Sequence, residues 1–127
     1  MTHGRIIRGA AAPQRALRSG RGIATDLVNP SVGASAVDLH INRLRAGSAR
    51  GPYHLHTTSE NVYYLLSGRL TVRLHGVDHE LSPGDAAFIP PGSPHSVTNP
   101  GDDEAVLIEI YAPAGADFVE VADEGSS

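Results

Sequence analysis

The stretch GDAAFIPPGSPHSVTN, residues 84–99, decides the fold of this chain. It holds two short runs of strand-forming residues, Ala86–Ile89 and His95–Thr98, on either side of a proline-rich turn. Proline fixes its own φ and has no N–H to donate, so the turn Pro90–Pro94 ends the first strand and sets where the second begins. His95 therefore opens a strand with a well-defined side-chain direction.

Short strands separated by turn residues extend outward from this stretch on both sides. Only Ala10–Arg18 has helical character, and Pro13 interrupts it. Many short strands with a turn about every 8–12 residues are typical of a sandwich or barrel, which makes the chain all-β. The other predicted strands are Ile23–Val28, Ala36–Leu44, Tyr53–His56, Val62–Leu66, Arg69–His75, Val77–Leu81 and Ala105–Tyr111.

A second stretch, GPYHLHTTSENVYYLLSG at residues 51–68, supplies two more histidines. His54 and His56 are two positions apart, so in a strand they point to the same face, about 6–7 Å apart. One nitrogen of each ring binds a metal while the other needs a hydrogen-bond partner. With His95 they form an N/O site suited to Fe(II), Mn(II), Ni(II), Zn(II) or Cu(II). The sequence predicts one such divalent ion per chain.

The two stretches resemble the two motifs of the cupin superfamily. The first stretch contains His54, His56, a downstream acid and Gly68, although the motif's leading glycine is Ser48 here. The resemblance covers about residues 36–111 and is closest to small single-domain bacterial members. It implies a jelly-roll barrel, or double-stranded β-helix, that is usually dimeric. The second stretch matches its motif at every fixed position, namely Gly84, Pro90, Gly92, His95 and Asn99.

The residue at the fourth ligand position is ambiguous between Glu60 and Asn61. The family's first motif has a glutamate three or four residues after the second histidine and six before the glycine. Glu60 fits the first spacing only, and Asn61 fits both but is not a carboxylate. A glycine turn fixes which strand residues face inward and favours Asn61, whereas a bulge after Thr58 would turn Glu60 inward. If Asn61 is the ligand, Asn61→Asp should tighten metal binding.

Other residues are candidates for contact with a substrate. Glu60, if it is not a ligand, is a candidate general base. Tyr63 shares the face of Asn61 and is a candidate catalytic residue, although ordinary sheet packing also explains it. Four residues on flanking strands are candidates to hold an anionic or carbonyl group, with their faces left open: His40, Arg43, Glu109 and Tyr111.

Composition excludes several kinds of chemistry. The chain has no cysteine, which rules out disulfides, thiolate nucleophiles and sulfur-ligated clusters. All ten Lys and Arg residues are arginine, which rules out a Schiff-base lysine. The net charge of −4 argues against nucleic acid as a partner. No apolar run approaches the roughly 20 residues of a membrane helix, and the first residues lack a signal sequence, so we expect a cytoplasmic protein without a membrane partner.

Charge is sorted along the chain and suggests three segments. Five arginines precede the first acid, Asp26, and eight acids follow residue 101. We predict a basic arm at residues 1–22, one barrel domain at 23–115 and an acidic tail at 116–127. Open sheet edges need cover, and the apolar pair Ile6-Ile7 offers an added strand. We therefore expect a homodimer in which the arm crosses to the partner.

Two classes of function fit these features, both with a small molecule as the partner. By resemblance, the chain is a metal-dependent enzyme with dioxygenase-, decarboxylase- or polyketide-cyclase-like chemistry on a metabolite with adjacent oxygens, such as an enol, β-diketone or 2-hydroxy acid. The alternative is a non-catalytic module that binds a small ligand or a metal. A metal-free sugar isomerase or epimerase would leave the three histidines without a purpose.

Overall fold

The structure is a computed structural model, and it describes residues 3–123. Short 3-10 helices lie at Gly9–Ala11, Arg18–Gly20 and Pro30–Val32. The strands in chain order are β1 (Gln14–Ala16), β2 (Gly22–Val28), β3 (Asp38–Leu44), β4 (His54–Leu55), β5 (Glu60–Ser67), β6 (Leu70–Leu74), β7 (Val77–Leu81), β8 (Ala86–Ile89), β9 (His95–Thr98), β10 (Ala105–Ala112) and β11 (Val119–Glu120).

The strands form two antiparallel sheets that enclose one core. The first sheet has the order β1-β2-β3-β10-β5-β8, and the second has the order β11-β4-β9-β6-β7. From β3 onward the chain passes to the other sheet at every connection except the β6–β7 hairpin. This arrangement confirms the predicted all-β jelly-roll barrel of the double-stranded β-helix type.

The predicted strands are present with shifts of a few residues at their ends, but the candidate helix at Ala10–Arg18 is wrong. That segment contains β1, which pairs with β2. The carbonyl oxygen of Pro13 accepts a hydrogen bond from the Asp26 amide at 2.9 Å, so Pro13 extends the pairing of β1 with β2 at the edge of the sheet. No helix of the described residues has the length and apolar character needed to cross a lipid bilayer.

One end of the barrel is filled by leucines from the two sheets. Leu44, Leu65, Leu70 and Leu107 are almost fully buried in the core. Burying one leucine side chain contributes about 1.5–3 kcal/mol relative to leaving it exposed, so this end supplies much of the barrel's stability.

The inward face becomes polar toward the other end of the barrel. Residues two apart on a strand point to the same face, and the residues two or four positions from the core leucines on β3, β5 and β10 are mostly polar. These polar residues are buried, although the opposite faces of the same strands carry apolar residues that could have been buried instead. The polar inward residues are His40 and Asn42 on β3, Asn61 and Tyr63 on β5, and Glu109 on β10.

Gly68 sets the register of β5. Its φ is +84°, and a Cβ there would lie 2.7 Å from the carbonyl oxygen of Glu104. Only glycine fits such a left-handed, crowded turn. With Gly68 fixed, Asn61 pairs with Tyr111 on β10 and with Ile89 on β8.

The predicted arm and the predicted tail both contact the barrel of their own chain. Within residues 1–22, β1 extends the first sheet, and Arg5 Nη1 donates to the carbonyl of Val32 at 2.9 Å. Within residues 116–127, β11 pairs with β4. Residues 1–2 and 124–127 lie outside the described residues. The homodimer with an exchanged arm stays a prediction.

Candidate metal centre

Three histidines meet at the polar end of the barrel. His54 on β4 is directly opposite His95 on β9, and His56 follows β4. The ring centroids of His54 and His95 are 4.3 Å apart, and His56 lies 5.0 Å and 5.2 Å from them. One ligand atom from each ring lies within 4.8 Å of the other two. The cluster predicted from the spacing is therefore assembled, and all three rings are buried.

Backbone carbonyls fix the tautomer of each ring. His54 Nδ1 lies 2.8 Å from the carbonyl oxygen of Pro52, and His95 Nδ1 lies 3.0 Å from that of Ser93. His56 Nδ1 is hydrogen-bonded to the carbonyl oxygen of Asp117. Because a carbonyl only accepts, each Nδ1 carries the proton and donates it, which leaves each Nε2 with a free lone pair.

Two of the other ring nitrogens have lone pairs that no described residue uses. Nε2 of His56 and Nε2 of His95 are buried and have no hydrogen-bond partner among the described residues. A buried polar atom left unsatisfied costs about 1–3 kcal/mol. Metal-binding histidines commonly have their second nitrogen hydrogen-bonded in this way, so the geometry fits a metal ion held through Nε2.

Burial keeps two of the ligands ready for a cation. It lowers the pKa of His54 to about 4, and the neighbouring His95 adds to the effect. Burial also holds the pKa of His95 below its ordinary value. Both rings are therefore neutral near pH 7, which is the form that binds a metal.

Asn61 brings a third unsatisfied acceptor to the same end of the barrel. It is fully buried, and its Nδ2 donates to Glu109 Oε2 and to the carbonyl oxygen of Ile110, both at 3.0 Å. The reverse orientation of the amide would set its oxygen against two acceptors, so the hydrogen bonds fix the side chain. Its Oδ1 is left buried without a partner. An amide oxygen of this kind ligates divalent cations, although it brings no charge.

Glu60 is exposed at the start of β5, on the face opposite Asn61. Its backbone pairs with Ala112 in the regular ladder, and the irregularity in that ladder lies at the far end, between Val106 and Leu107. Among the described residues, the group of acids and histidines close enough to share an ion contains the three histidines and not Glu60. The structure buries Asn61 on the inward face of β5 and leaves Glu60 exposed on the other face. The roles of the two residues as ligand or base stay predictions.

Glu109 is the hub of a buried hydrogen-bond network beside the cluster. Its Oε1 accepts from His40 Nε2 at 2.9 Å and from Asn42 Nδ2 at 2.8 Å, and its Oε2 accepts from Asn61. Burial alone would raise the pKa of Glu109. The hydrogen bond and charge of His40 and the two amides outweigh burial and lower this pKa to about 2. Glu109 is thus an ionised carboxylate inside the barrel.

A cavity of about 250 Å³ opens beside the cluster. His54, Tyr63, Glu109 and Tyr111 line it together with Arg21. At roughly 30 Å³ for each water molecule of the liquid, this is the room of a small metabolite. The sequence left open which way four candidate substrate contacts point. His40, Glu109 and Tyr111 line the cavity, whereas Arg43 is exposed and pairs with Glu104.

The segment at Asp117 and Phe118 completes the centre, and the sequence carried no signal for it. Besides the carbonyl contact to His56, the Asp117 carboxylate accepts from the amide of Thr57 at 2.7 Å and from its hydroxyl at 2.6 Å. The Phe118 ring stacks on His54 with centroids 4.2 Å apart and planes at 17°. Arg18 Cζ lies 4.1 Å from the centre of the same ring.

Asp117→Ala is expected to weaken metal binding about tenfold, because a looser segment no longer orients His56. This is the size of effect typical for groups that orient metal ligands. Metal titration by isothermal calorimetry measures it. Asp102→Ala, at an exposed loop position, is the matched control and should bind as the wild type does. Equal affinities for Asp117→Ala and Asp102→Ala would show that the segment does not orient the ligand.

A family model described as a cupin domain matches residues 41–111. An uncharacterized protein of Methanocaldococcus jannaschii, MJ1618, is 43% identical over 69 residues, which cover 54% of this chain and 55% of that protein. Glucose-6-phosphate isomerase of Pyrococcus abyssi is 31% identical over 84 residues, covering 61% and 44%. Polyketide synthase CurC of Streptomyces cyaneus is 31% identical over 96 residues, covering 76% and 62%. The chain spans about half the length of the curated relatives it matches.

The solved structure of the polyketide cyclase RemF from Streptomyces resistomycificus has the same fold. It matches with a TM-score of 0.80 at 21% identity, and the match covers 97% of this chain and 91% of that one. At this identity the similarity concerns the fold alone.

Proposed function

Because the chain belongs to the cupin family, we propose that it is a metal-dependent enzyme that acts on a small metabolite with adjacent oxygen atoms. The proposal rests on one observation: His56 Nε2, His95 Nε2 and Asn61 Oδ1 are buried acceptors without a partner at one end of the barrel. A divalent cation satisfies all three lone pairs together. The adjoining cavity gives a substrate access to such an ion through the wall that His54 lines.

The donor set fits a transition metal. Three imidazole nitrogens and one amide oxygen suit Fe(II), Mn(II), Ni(II), Zn(II) or Cu(II). When bound, such an ion acts as a Lewis acid that polarises the oxygens of a chelating substrate. An imidazole binds a metal in its neutral form and an amide carries no charge, so this ligand set leaves the charge of the ion for the substrate to balance.

The cavity wall holds a substrate in place beside the histidines. Burial raises the pKa of the Tyr63 hydroxyl well above its ordinary value, and Glu109 raises it further, so the phenol stays protonated. Its hydroxyl donates its proton to Glu109, which leaves the phenol oxygen to accept from a substrate hydroxyl. In this proposal Tyr63 positions the substrate, and Glu109 fixes the amide of Asn61.

The names of the relatives support different substrates, so the proposal keeps to the common chemistry of chelating oxygens. Two of them are named for polyketides, whose enols and β-diketones have such oxygens. The isomerase relative acts, by its name, on a sugar phosphate. The Fe, Mn, Ni, Zn or Cu identity of the ion stays a prediction.

The test supplies metal-loaded protein with an enol, a β-diketone and a 2-hydroxy acid in turn and follows each compound by mass spectrometry, together with oxygen consumption. We expect at least one class to be converted by the wild type and none by His56→Ala. Full metal loading with every compound recovered unchanged would refute the enzyme and leave the non-catalytic module. Conversion of a sugar phosphate by EDTA-treated protein would instead establish the metal-free isomerase.

A further inference from the structure

A buried arginine lies in the cavity without an acidic partner among the residues that the structure describes. Arg21 has 8% of its surface exposed and lines the same cavity as His54 and Tyr63. Its Nη2 donates to the carbonyl oxygen of Val97 at 3.2 Å, which is the guanidinium's one protein acceptor within the described residues. Its Nε is buried with no partner. Most of the five N–H donors of this guanidinium are therefore unused.

The fold makes room for this guanidinium. Gly51 lies directly against it, and a Cβ at Gly51 would fall 2.6 Å from Arg21 Cζ. The Gly51 amide donates to the carbonyl oxygen of Val97 at 3.1 Å, the same oxygen that Arg21 contacts. The Arg21 carbonyl accepts from the amide of Arg45 at 2.8 Å. Backbone contacts on both sides thus hold the arginine in the wall.

No carboxylate of the described residues neutralises this charge by contact. Glu109 lines the cavity as well, but its oxygens are occupied by His40, Asn42 and Asn61, and it forms no ion pair with Arg21. A buried cation without a partner is costly. A metal ion on neutral ligands would add further positive charge to the same cavity, which Glu109 alone does not balance.

We propose that Arg21 is the binding site for a carboxylate of the ligand that enters this cavity. The proposal deepens the proposed function, because it assigns that substrate an anionic group distinct from the oxygens that chelate the metal. The N–H donors that Val97 leaves unused belong to a planar guanidinium, whose geometry matches the two oxygens of a carboxylate.

A phosphoryl group is the other source of negative charge, and the wall favours it less. A phosphate dianion needs more than one cation, yet the nearest arginines on the cavity are engaged elsewhere. Arg15 pairs with Asp26 at 3.1 Å, and Arg18 lies over Phe118. Of these three arginines, Arg21 is the buried one, and a single buried guanidinium suits a single carboxylate charge.

The experiment titrates the full-length chain, with and without EDTA, with acetate, inorganic phosphate and neutral acetamide. The readout is the Nε–Hε resonance of Arg21 in an arginine-labelled NMR sample. We expect acetate to shift this resonance and acetamide not to shift it, both in EDTA and without it. Because Arg21→Gln lacks this resonance, the acetate affinities of the wild type and the variants are also compared by isothermal calorimetry. There Arg21→Gln should bind acetate about 30-fold more weakly, the size expected from losing a hydrogen bond to a charged group.

Two variants separate a binding role from a structural one. Gly51→Ala keeps every charge but displaces the guanidinium, so it should also weaken acetate binding. Arg43→Gln, which removes an exposed arginine, is the matched control and should leave acetate binding unchanged. Because the titration in EDTA contains no metal, acetate binding in that titration tests the role of Arg21 separately from the metal-dependent function.

Three results would overturn the proposal. One is an Arg21 resonance that acetate does not move. Another is equal acetate affinity in the wild type and Arg21→Gln. The last is phosphate binding tighter than acetate at this resonance, which would assign the arginine to a phosphoryl group.

Discussion

Glu109→Ala is expected to lower the free energy of unfolding by about 3–5 kcal/mol, the range found when one member of a buried ionic network is removed. The alanine leaves His40 Nε2 and Asn42 Nδ2 without their buried acceptor, and Asn61 Nδ2 keeps only the carbonyl oxygen of Ile110. It also opens a cavity between β3, β5 and β10. Urea denaturation of metal-free protein measures the change without any contribution from a bound ion.

Glu104→Ala is the control for this measurement. Glu104 is an exposed carboxylate that pairs with Arg43 at 3.3 Å. Surface pairs are worth about 0–1 kcal/mol, so this variant should unfold almost as the wild type does. If Glu109→Ala cost no more than Glu104→Ala, the buried network would not be the support of the metal centre that its geometry indicates.

Asn61→Ala is expected to weaken metal binding by at least about tenfold, the lower end of the effects seen when groups around a metal are removed. In the proposed assignment, Oδ1 of Asn61 is the ligand atom that the variant loses. Glu60→Ala should leave metal affinity unchanged, because Glu60 is exposed on the other face of β5. Calorimetric titration of the two variants with Zn(II) compares them directly. Loss of metal by Glu60→Ala with Asn61→Ala unaffected would reverse the assignment.

The structure also changes the expectation for Asn61→Asp. From the sequence, an added negative charge should tighten metal binding. In the structure, however, the Asn61 amide donates to Glu109 Oε2 and to the carbonyl of Ile110. An aspartate would set a second carboxylate against Glu109 and lose both donors. Like charges at this distance disfavour double ionisation, so the variant should be less stable than the wild type and should bind metal no better.

The sequence predicted the strands and the three histidines because local rules fix both. Turn residues mark the strand ends, and the proline-rich turn before His95 sets the direction of its side chain. The inward orientation of Asn61 rather than Glu60 also followed a local rule, since Gly68 adopts the left-handed turn that sets the register of β5. Where a single proline or glycine fixes the backbone, the sequence alone predicts which way the neighbouring side chains point.

For β10, the sequence could not show which face of the strand points into the barrel. On β10, Ile108 and Ile110 alternate with Glu109 and Tyr111, and a hydrophobic core would bury the isoleucines. The structure buries Glu109 instead, because this end of the barrel holds a polar cavity. Departures from the hydrophobic pattern of this kind are expected at functional sites.

Contacts made by the backbone or across long sequence distances left no trace in the sequence. His56 is held by the carbonyl oxygen of Asp117, 61 positions away, and any residue offers a carbonyl. Arg21 is one of several arginines near the N-terminus and stands out only once Gly51 is placed against it. Such residues become visible when the fold brings them to the cavity.

Metal content is the most direct test of the central claim that His54, His56 and His95 form a metal centre. The full-length chain is produced in medium that contains iron, manganese, nickel, zinc and copper, and the purified protein is analysed by inductively coupled plasma mass spectrometry. We expect about one transition-metal ion per chain in the wild type and in His79→Ala, which removes an exposed histidine. His95→Ala should retain almost none, and a metal content in His95→Ala equal to that of the wild type would contradict the claim.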